Sequence, residues 1–291
     1  MPNDNHYPAG TPEGKGGQFA PKHSFEPAIN YIPQRTFYKD LPKEEQVRIA
    51  KEYMSFDKEF FEQSQQLAEQ FPTNKISTDA RKLEREKWLA EEYDAQMDRG
   101  PKQKGKKAFL LLGLPGSGKS TIATPLSQEE DAFIVDADEF KKRIPEFQKD
   151  HRMVAAVHKE SVDLADRFMN DLSNEDYNMI IGKVGGSFES VKYILDNLGS
   201  KGYDIQVIYN DVPMQETLRR SIERYKNGET DRIVPFEVTA HADGRILDTF
   251  DKILQHEDVS GGKLYNNNVP KGQKPILLHE FTKNKEENNE K

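Results

Sequence analysis

The sequence contains no cysteine. This absence excludes disulfide bonds, thiol nucleophiles and zinc sites with cysteine ligands. A chain without cysteine fits a reducing compartment, where disulfides contribute nothing to stability. The 7 histidines are scattered along the chain, so the sequence predicts no metal cluster built on histidine.

Long hydrophobic runs are also missing. An apolar run such as Phe109–Leu112 is far below the roughly 20 residues that a membrane-spanning helix needs. The first residues, MPNDNHYPAG, lack the basic and then apolar pattern of a signal peptide. We therefore expect a cytoplasmic protein with no membrane partner.

The chain has no excess of basic charge. Lys and Arg together number 42 against 50 for Asp and Glu, which gives a formal net charge of −8. Such a chain has no overall attraction to nucleic acid or to an anionic membrane, although a local basic groove could still exist. Nucleic acid is therefore not an expected partner.

Both ends of the chain are poor in apolar residues. Residues 1–36 are rich in Gly, Pro and Asn, and residues 281–291 include the polar run KNKEENNEK. Segments of this kind bury too little apolar surface to offset the entropy cost of ordering. We predict disordered tails at both ends, with a peptide that binds a partner as the alternative for the first.

A helical segment is predicted over residues 37–100. Ile49, Tyr53 and Phe56 recur at helical spacing and begin an apolar stripe that Pro72 ends. A second helix over 79–98 carries an apolar set among dense charges: Leu83, Trp88, Leu89 and Tyr93. The pattern favours a helical hairpin that packs on the domain that follows.

From residue 107 the pattern alternates between strand and helix. Buried strands are predicted over 107–113, 131–136, 177–183 and 203–209, with short strands near 263–265 and 275–278. Helices are predicted over 117–126, 151–172, 188–197, 213–226 and 236–254, the fourth of them opened by Asp211. This alternation predicts a three-layer α/β/α fold with a mostly parallel sheet.

A phosphate-binding loop stands between the first strand and the first of these helices. Residues 113–120, GLPGSGKS, match the pattern G-x-x-x-x-G-K-[ST] in full. Backbone N–H groups of such a loop and the helix N-terminus surround phosphates, the lysine reaches the β- and γ-phosphates, and the hydroxyl binds Mg²⁺. The alternative is a glycine-rich turn with a surface lysine. The expected ATP- or GTP-binding residues are Gly113, Leu114, Pro115, Gly116, Ser117, Gly118, Lys119, Ser120 and Thr121.

Acidic residues follow the second strand, in FIVDADEF. A carboxylate there would lie near the γ-phosphate, where it can accept the hydroxyl proton and orient the attacking oxygen. Asp138 is the candidate for this role, and Asp136 joins Ser120 as a candidate Mg²⁺ ligand. Asp136 with Glu139 also matches a helix capping box, a purely structural alternative.

These motifs resemble the zeta toxin family of bacterial kinases. The resemblance runs from about residue 107 to 270 and comprises the loop GLPGSGKS and the segments VDADEFKKRIPEF, VHKES and SIERY, followed by Arg232–Pro235. It implies a P-loop kinase domain over 101–280 that phosphorylates the 3′-hydroxyl of the amino sugar of UDP-N-acetylglucosamine. It also implies a small antitoxin as partner.

The resemblance assigns roles to particular residues. It implies that Asp138 is the catalytic base, that Lys119 and Ser120 bind ATP and Mg²⁺, and that Arg224 and Arg232 clamp the phosphates. Guanidinium groups suit the spread charge of a phosphoryl transition state. Either arginine could instead be solvated, and His158 of VHKES is interpreted as a packed or solvated helix residue.

The sequence also departs from the family. Gly182 and Lys183 stand where the family usually has an acid, and Ile144-Pro145 replaces a His-Pro pair. A missing acid would remove a contact to the acceptor, which leaves the substrate open. The alternatives are another P-loop kinase, acting on a small molecule or a polynucleotide end, and a nucleotide-binding interaction module with weakened catalysis. The first helices are expected to be a scaffold, with an antitoxin-binding surface or a self-inhibitory cover as alternatives.

Overall fold

The computed structural model of the chain describes residues 26–32, 35–71, 78–227 and 234–283. The strands are β1 Lys107–Leu112, β2 Phe133–Val135, β3 Met179–Lys183, β4 Asp204–Asp211, β5 Val259–Asn266 and β6 Ile276–Thr282. The α-helices are α1 Lys43–Gln70, α2 Asp79–Met97, α3 Ser120–Glu129, α4 Ala137–Lys141, α5 Pro145–Lys149, α6 Val154–Asn174, α7 Glu189–Ser200, α8 Met214–Lys226, α9 Phe236–Ala242 and α10 Ile246–Leu254. Short 3-10 helices cover Ala28–Tyr31, Tyr38–Asp40 and His151–Met153.

Within the described residues, the strands form one six-stranded sheet in the order β2-β3-β1-β4-β5-β6. The pairs from β2 to β5 are parallel, and β6 is antiparallel to β5. The prediction of a mostly parallel sheet is therefore confirmed. In such a sheet, ligands bind beyond the carboxyl ends of the strands. The segments that follow β1, β2 and β3 therefore meet at one edge.

The central strand β1 is covered on both faces. Its residues Phe109 and Leu111 face a small apolar cluster that includes Ile122 of α3. Leu110 and Leu112 face the larger core, to which α6, α7 and α10 contribute. Alternate side chains of a strand point to opposite faces, so the uninterrupted apolar run is explained by helices on both sides. This arrangement is the predicted three-layer α/β/α fold.

The helix predicted over 236–254 is two helices instead. α9 ends at Ala242 and α10 begins at Ile246, with Gly244 between them at a φ of 72°. The carboxylate of Asp243, at the end of α9, accepts a hydrogen bond from the backbone N–H of Tyr38, at 2.7 Å. The apolar spacing of four continues across the break, which is why the pattern alone did not indicate it.

The two N-terminal helices, α1 and α2, pack on different parts of the α/β domain. α1, 28 residues long, contacts α6 and α9, and its Tyr53 hydroxyl donates to the Gln215 carbonyl of α8 at 3.2 Å. α2 lies beside the edge strand β2, where the amide group of Gln96 exchanges hydrogen bonds with both backbone groups of Ile134, each at 2.7 Å. Polar pairing of this kind protects a strand edge.

No helix among the described ranges is both long and apolar enough to span a membrane.

The buried face of α2 differs from the predicted one. Trp88 and Leu89 are buried, but Leu83 is 72% exposed. Arg81, two residues earlier on α2, is buried instead. It binds Glu160 of α6 with two hydrogen bonds of 2.9 and 2.8 Å. The hydrophobic pattern could not indicate this face, because an ion pair occupies part of it.

The first described residues are structured, which corrects the extent of the first predicted tail. Residues 26–32 and 35–40, here called the N-terminal strap, lie against α10, α9 and the end of β4. The backbone N–H of Ala28 donates to Asp251 at 2.9 Å, and the Arg35 side chain is 5% exposed. At the other end, β6 continues to Thr282, so the second tail cannot begin at residue 281. Residues 1–25 and 284–291 lie outside the described residues.

Asp211 does not open α8 as the sequence suggested. α8 begins after Pro213, and no side chain caps its N-terminus. The Asp211 carboxylate instead accepts a hydrogen bond from the Tyr209 hydroxyl at 2.7 Å and forms an ion pair with Arg35. Because Arg35 is distant in the sequence, the local pattern around Asp211 could not indicate this contact.

Candidate active site

The phosphate-binding loop follows β1 directly and leads into α3. Gly116 and Gly118 adopt φ angles of 81° and 78°, in the left-handed region that favours glycine. A Cβ atom at Gly116 would lie 2.7 Å from the Thr217 carbonyl oxygen of α8, and one at Gly118 would lie 2.6 Å from the Asn267 amide. The loop therefore needs glycine both for its backbone angles and for its close neighbours.

Two asparagines support the loop from below. The side-chain amides of Asn210, at the end of β4, and Asn267, after β5, each donate to the Ser117 carbonyl oxygen at 2.8 Å. Asn267 also donates to the Thr121 hydroxyl at 3.2 Å, and that hydroxyl donates to the Gly118 carbonyl at 2.6 Å. Neither asparagine was predicted from the sequence. The signal that could have found them is their position just at or beyond the ends of apolar strands.

Lys119 crosses the mouth of the loop. Its ammonium donates to the carbonyl oxygens of Gly113 at 2.9 Å and Leu114 at 3.3 Å. The ammonium is therefore fixed beside the backbone groups that would surround phosphates. Leu114 and Ser117 themselves are buried beneath the loop, whereas Ser120 is exposed at the start of α3.

A cavity of about 320 Å³ opens beside the loop at the carboxyl edge of the sheet. The predicted site residues that line it are Pro115, Gly116, Gly118, Lys119, Ser120, Asp136, Asp138 and Arg224. Arg224 lies one helical turn beyond Ser221, which also faces this cavity, hereafter the nucleotide cavity. Arg232 lies outside the described residues. His158 is exposed on α6 and lines the same cavity.

The two aspartates of the FIVDADEF segment play different structural parts. Asp136 is the N-cap of α4, and its carboxylate accepts a hydrogen bond from the Asp138 backbone N–H at 2.9 Å. The capping role is confirmed, although Glu139 pairs with Lys142 at 2.5 Å instead of closing a capping box. Burial and, after it, the negative charge of Asp138 raise the pKa of Asp136, while Lys119 acts in the opposite direction. A cation at this place would relieve that repulsion.

Asp138 has a cationic neighbour that the sequence analysis did not single out. The Lys141 ammonium lies 3.1 Å from the Asp138 carboxylate, and its side chain is 7% exposed whereas that of Asp138 is 38% exposed. The helical spacing of three residues brings the pair together on α4. The carboxylate is thus oriented by a buried lysine, and Asp138 also lines the nucleotide cavity.

A second cavity, of about 670 Å³, adjoins the first. The two share Val162, Lys183 and Val184 as lining residues. Lys183 ends β3, the strand between β2 and β1, and its ammonium lies 3.4 Å from Asp166 of α6. Asp166 also accepts a hydrogen bond from Tyr193, whose pKa is raised first by burial and then by this bond.

The described residues contain no group of three or more His, Cys, Asp or Glu side chains arranged to hold a metal. A Mg²⁺ ion in a nucleotide site does not require such a group, because phosphate oxygens and waters supply most of its ligands. The Ser120 hydroxyl and the Asp136 carboxylate both line the nucleotide cavity. This pair of oxygen donors fits that mode of binding.

The loop after the central parallel strand, the lysine at its mouth and the acid after the next strand define a P-loop nucleotide-binding fold of the kinase type. The Zeta toxin family matches residues 91–270, more than half of the chain. The chain therefore belongs to the zeta toxin family, and the resemblance inferred from the motifs is confirmed.

Comparison with individual proteins agrees with this assignment. Over 126 residues the chain is 29% identical to the proteins named Toxin zeta of Streptococcus pyogenes and of Enterococcus hirae. These matches cover 41% of this chain and 44% of each relative, so the chain spans less than half the length of the curated relatives it matches.

Solved structures show the same fold. A structure from the PezAT chromosomal toxin–antitoxin system of Streptococcus pneumoniae has a TM-score of 0.57 at 19% identity, over 70% of this chain and 82% of that chain. The AvrRxo1-ORF1:-ORF2 structure with ATP has a TM-score of 0.53 at 18% identity, over 69% of each chain. At these identities the likeness concerns the fold alone.

Proposed function

We propose that the protein is an ATP-dependent kinase that transfers the γ-phosphate of ATP to a hydroxyl of a small acceptor, with UDP-N-acetylglucosamine as the first candidate. The observation that carries this proposal is the nucleotide cavity, because one volume is lined by Lys119, Asp138 and Arg224. Family membership supports phosphoryl transfer as the reaction class. The identity of the acceptor rests on the resemblance to zeta toxins.

The phosphates of ATP are proposed to bind in the loop between Gly113 and Thr121. Its backbone N–H groups and the N-terminus of α3 supply partial positive charge, and Lys119 contacts the β- and γ-phosphates. Ser120 and Asp136 would hold Mg²⁺. When bound, that ion neutralises charge that develops on the phosphate oxygens. GTP remains the alternative nucleotide, because phosphate contacts do not distinguish the base.

Asp138 is proposed as the base that receives the acceptor's proton. The acceptor oxygen forms a bond to the γ-phosphorus while the bond from that phosphorus to the β–γ bridging oxygen breaks, and ADP leaves with the electron pair. The hydroxyl proton passes to the Asp138 carboxylate. Lys141, 3.1 Å away, holds this carboxylate in one orientation during the transfer.

Arginines are proposed to stabilise the transferred phosphoryl group. Arg224 lines the nucleotide cavity from α8. Arg232 is proposed for the same task on the strength of the resemblance. Guanidinium groups can contact two phosphoryl oxygens at once, which suits a transition state with charge spread over three of them.

The acceptor is proposed to occupy the second cavity. This cavity shares Val162, Lys183 and Val184 with the nucleotide cavity, so an acceptor bound there could reach the cavity that Asp138 lines. Lys183 brings a positive charge next to Gly182, which stands where the family usually has an acid. The acceptor therefore has to be tested and not taken from the relatives.

The larger organisation is also a proposal. Residues 101–280 would form the kinase domain, and the helices of residues 37–100 would be a scaffold, a role supported by their contacts with α6, α9 and β2. A small antitoxin is proposed as partner in the cytoplasm, since a structural neighbour belongs to a toxin–antitoxin system. Co-purification with a co-expressed candidate antitoxin would test this part separately.

Incubation of the full chain with UDP-N-acetylglucosamine, ATP and Mg²⁺ tests the proposed reaction. We expect mass spectrometry to show the acceptor gaining one phosphate as ADP appears, because the nucleotide cavity is lined both by the proposed base Asp138 and by Lys119 of the phosphate-binding loop. Omission of ATP is the control. Phosphate found on a different hydroxyl compound of an acceptor panel, and not on UDP-N-acetylglucosamine, would reject this acceptor but keep the kinase, whereas phosphate released only to water would show hydrolysis of ATP and not transfer. Absence of any transfer across a panel of sugars, nucleosides and antibiotics would reject the kinase.

A further inference from the structure

We infer that Arg35, which lies outside the residues matched by the zeta toxin family, is a positioning residue for the phosphate-binding loop. Arg35 belongs to the N-terminal strap, and its side chain is 5% exposed. The inference rests on the proposed function insofar as the loop must bind a nucleotide. It adds that part of the support for the loop comes from a segment that precedes the residues matched by the family.

Arg35 joins two buried carboxylates that belong to different parts of the fold. Its guanidinium forms ion pairs with Asp211, the last residue of β4, and with Asp243, between α9 and α10, the latter at 2.5 Å. It also donates to the Tyr209 hydroxyl at 3.1 Å, and that hydroxyl donates to Asp211 at 2.7 Å. Arg35 of the strap therefore connects the carboxyl end of β4 with the turn between α9 and α10.

The end of β4 is also the support of the loop. Asn210 precedes Asp211 and donates its side-chain amide to the Ser117 carbonyl at 2.8 Å. The backbone carbonyl of Asp211 accepts from the backbone N–H of Asn267, the second asparagine that holds Ser117, at 2.9 Å. A displacement of Asp211 would therefore move both amides that set the position of the loop.

The backbone at the end of β4 is paired with β5 through Asp211 and Asn266, but the Asn210 side chain itself has few polar contacts. The Oδ1 atom of Asn210 is buried and makes no hydrogen bond to any residue of the described ranges. Its side-chain orientation thus depends on its single amide hydrogen bond to Ser117 and on the β4 backbone. The Ser117 hydroxyl is likewise buried and makes no hydrogen bond to any residue of the described ranges. By fixing the backbone at Asp211, the network of Arg35 keeps Asn210 in position to hold Ser117.

Replacement of Arg35 should therefore weaken nucleotide binding without touching the nucleotide. We expect Arg35→Met to raise the Kd for ATP, measured by calorimetry below the unfolding temperature, by about two- to thirtyfold, the range typical of coupling through packed networks. Because this variant leaves Asp211 and Asp243 without their cation, milder variants accompany it. Arg35→Lys keeps the positive charge but loses the guanidinium that contacts both Asp211 and Asp243. Tyr209→Phe removes only the hydroxyl that donates to Asp211. Both variants should also raise the Kd for ATP, but by a smaller factor than Arg35→Met does.

A matched control separates positioning from loss of stability. Arg81→Met removes a guanidinium that is equally buried but pairs with Glu160 of α6, away from the loop. It should lower the unfolding temperature and leave the Kd of the folded protein for ATP unchanged. Folded Arg35→Lys and Tyr209→Phe variants that bind ATP as tightly as the wild type would overturn the inference. Failure of the wild type itself to bind ATP would instead reject the proposed function.

Discussion

Replacement of Asp138 by asparagine is expected to reduce phosphoryl transfer by about 10²- to 10⁴-fold, the range for loss of a general base. Asparagine has the same shape but cannot accept the acceptor's proton. Binding of ATP should persist, because the loop and Lys119 are unchanged. The variant also removes the negative charge that, after burial, raises the pKa of Asp136. The pKa of Asp136 should therefore fall, which favours the ionised form as a metal ligand. Initial rates of ADP formation with the acceptor found by mass spectrometry provide the measurement.

Glu139→Gln is the control for this variant. Glu139 is the next acid along α4, pairs with Lys142 at 2.5 Å and is 35% exposed, so its loss changes the net charge equally. It does not line the nucleotide cavity, and its rate should stay near that of the wild type. Transfer by Asp138→Asn at the wild-type rate would show that another group takes the proton. Loss of ATP binding together with transfer would show that Asp138 supports the nucleotide and not the acceptor.

Replacement of Arg81 by methionine should lower the free energy of unfolding substantially. The Glu160 carboxylate has no exposure to solvent, and Arg81 binds it through two hydrogen bonds. Removal of one partner of a buried pair leaves an uncompensated charge and costs about 3–5 kcal/mol. Arg85 still contacts Glu160 at 2.8 Å, so a result in the lower half of this range is expected. Urea denaturation of both proteins gives the free energy of unfolding.

Arg48→Met on α1 is the matched control for Arg81→Met. Arg48 pairs with Glu45 at 3.0 Å, but its side chain is 64% exposed. Exposed pairs contribute little because water and salt screen them. An unchanged free energy of unfolding for the Arg81 variant would mean that α2 is not fixed to the domain by this pair, and the scaffold role of the N-terminal helices would lose its main support.

The parts of the structure that depend on local sequence could be predicted. The loop GLPGSGKS has a fixed pattern because its backbone angles and close contacts admit glycine at particular positions. The strands of the sheet are indicated by apolar runs because helices cover both faces. Asp138 could be proposed because a helix start after a buried strand brings an acid to the carboxyl edge of the sheet.

Contacts between distant residues could not be predicted in this way. Asn210 and Asn267 support the loop through side-chain amides, and no spacing rule marks such a pair. Arg35 lies in a segment whose composition indicates disorder, yet a buried ion pair orders it. The same pair explains why Asp211 does not cap α8. The break at Gly244 was hidden because the apolar spacing of the flanking helices happens to stay in phase.

The central claim is that the loop of residues 113–120 holds the phosphates of a nucleotide with the help of Lys119. Calorimetric titration of ATP into the wild type and into Lys119→Ala tests it most directly, with Lys142→Ala, an exposed lysine of the same region, as the control. Loss of one partner from a desolvated charge contact costs at least about 2 kcal/mol, so we predict a Kd raised roughly 30-fold or more for Lys119→Ala and an unchanged Kd for the control. Equal affinity of Lys119→Ala and wild type for ATP would contradict the account.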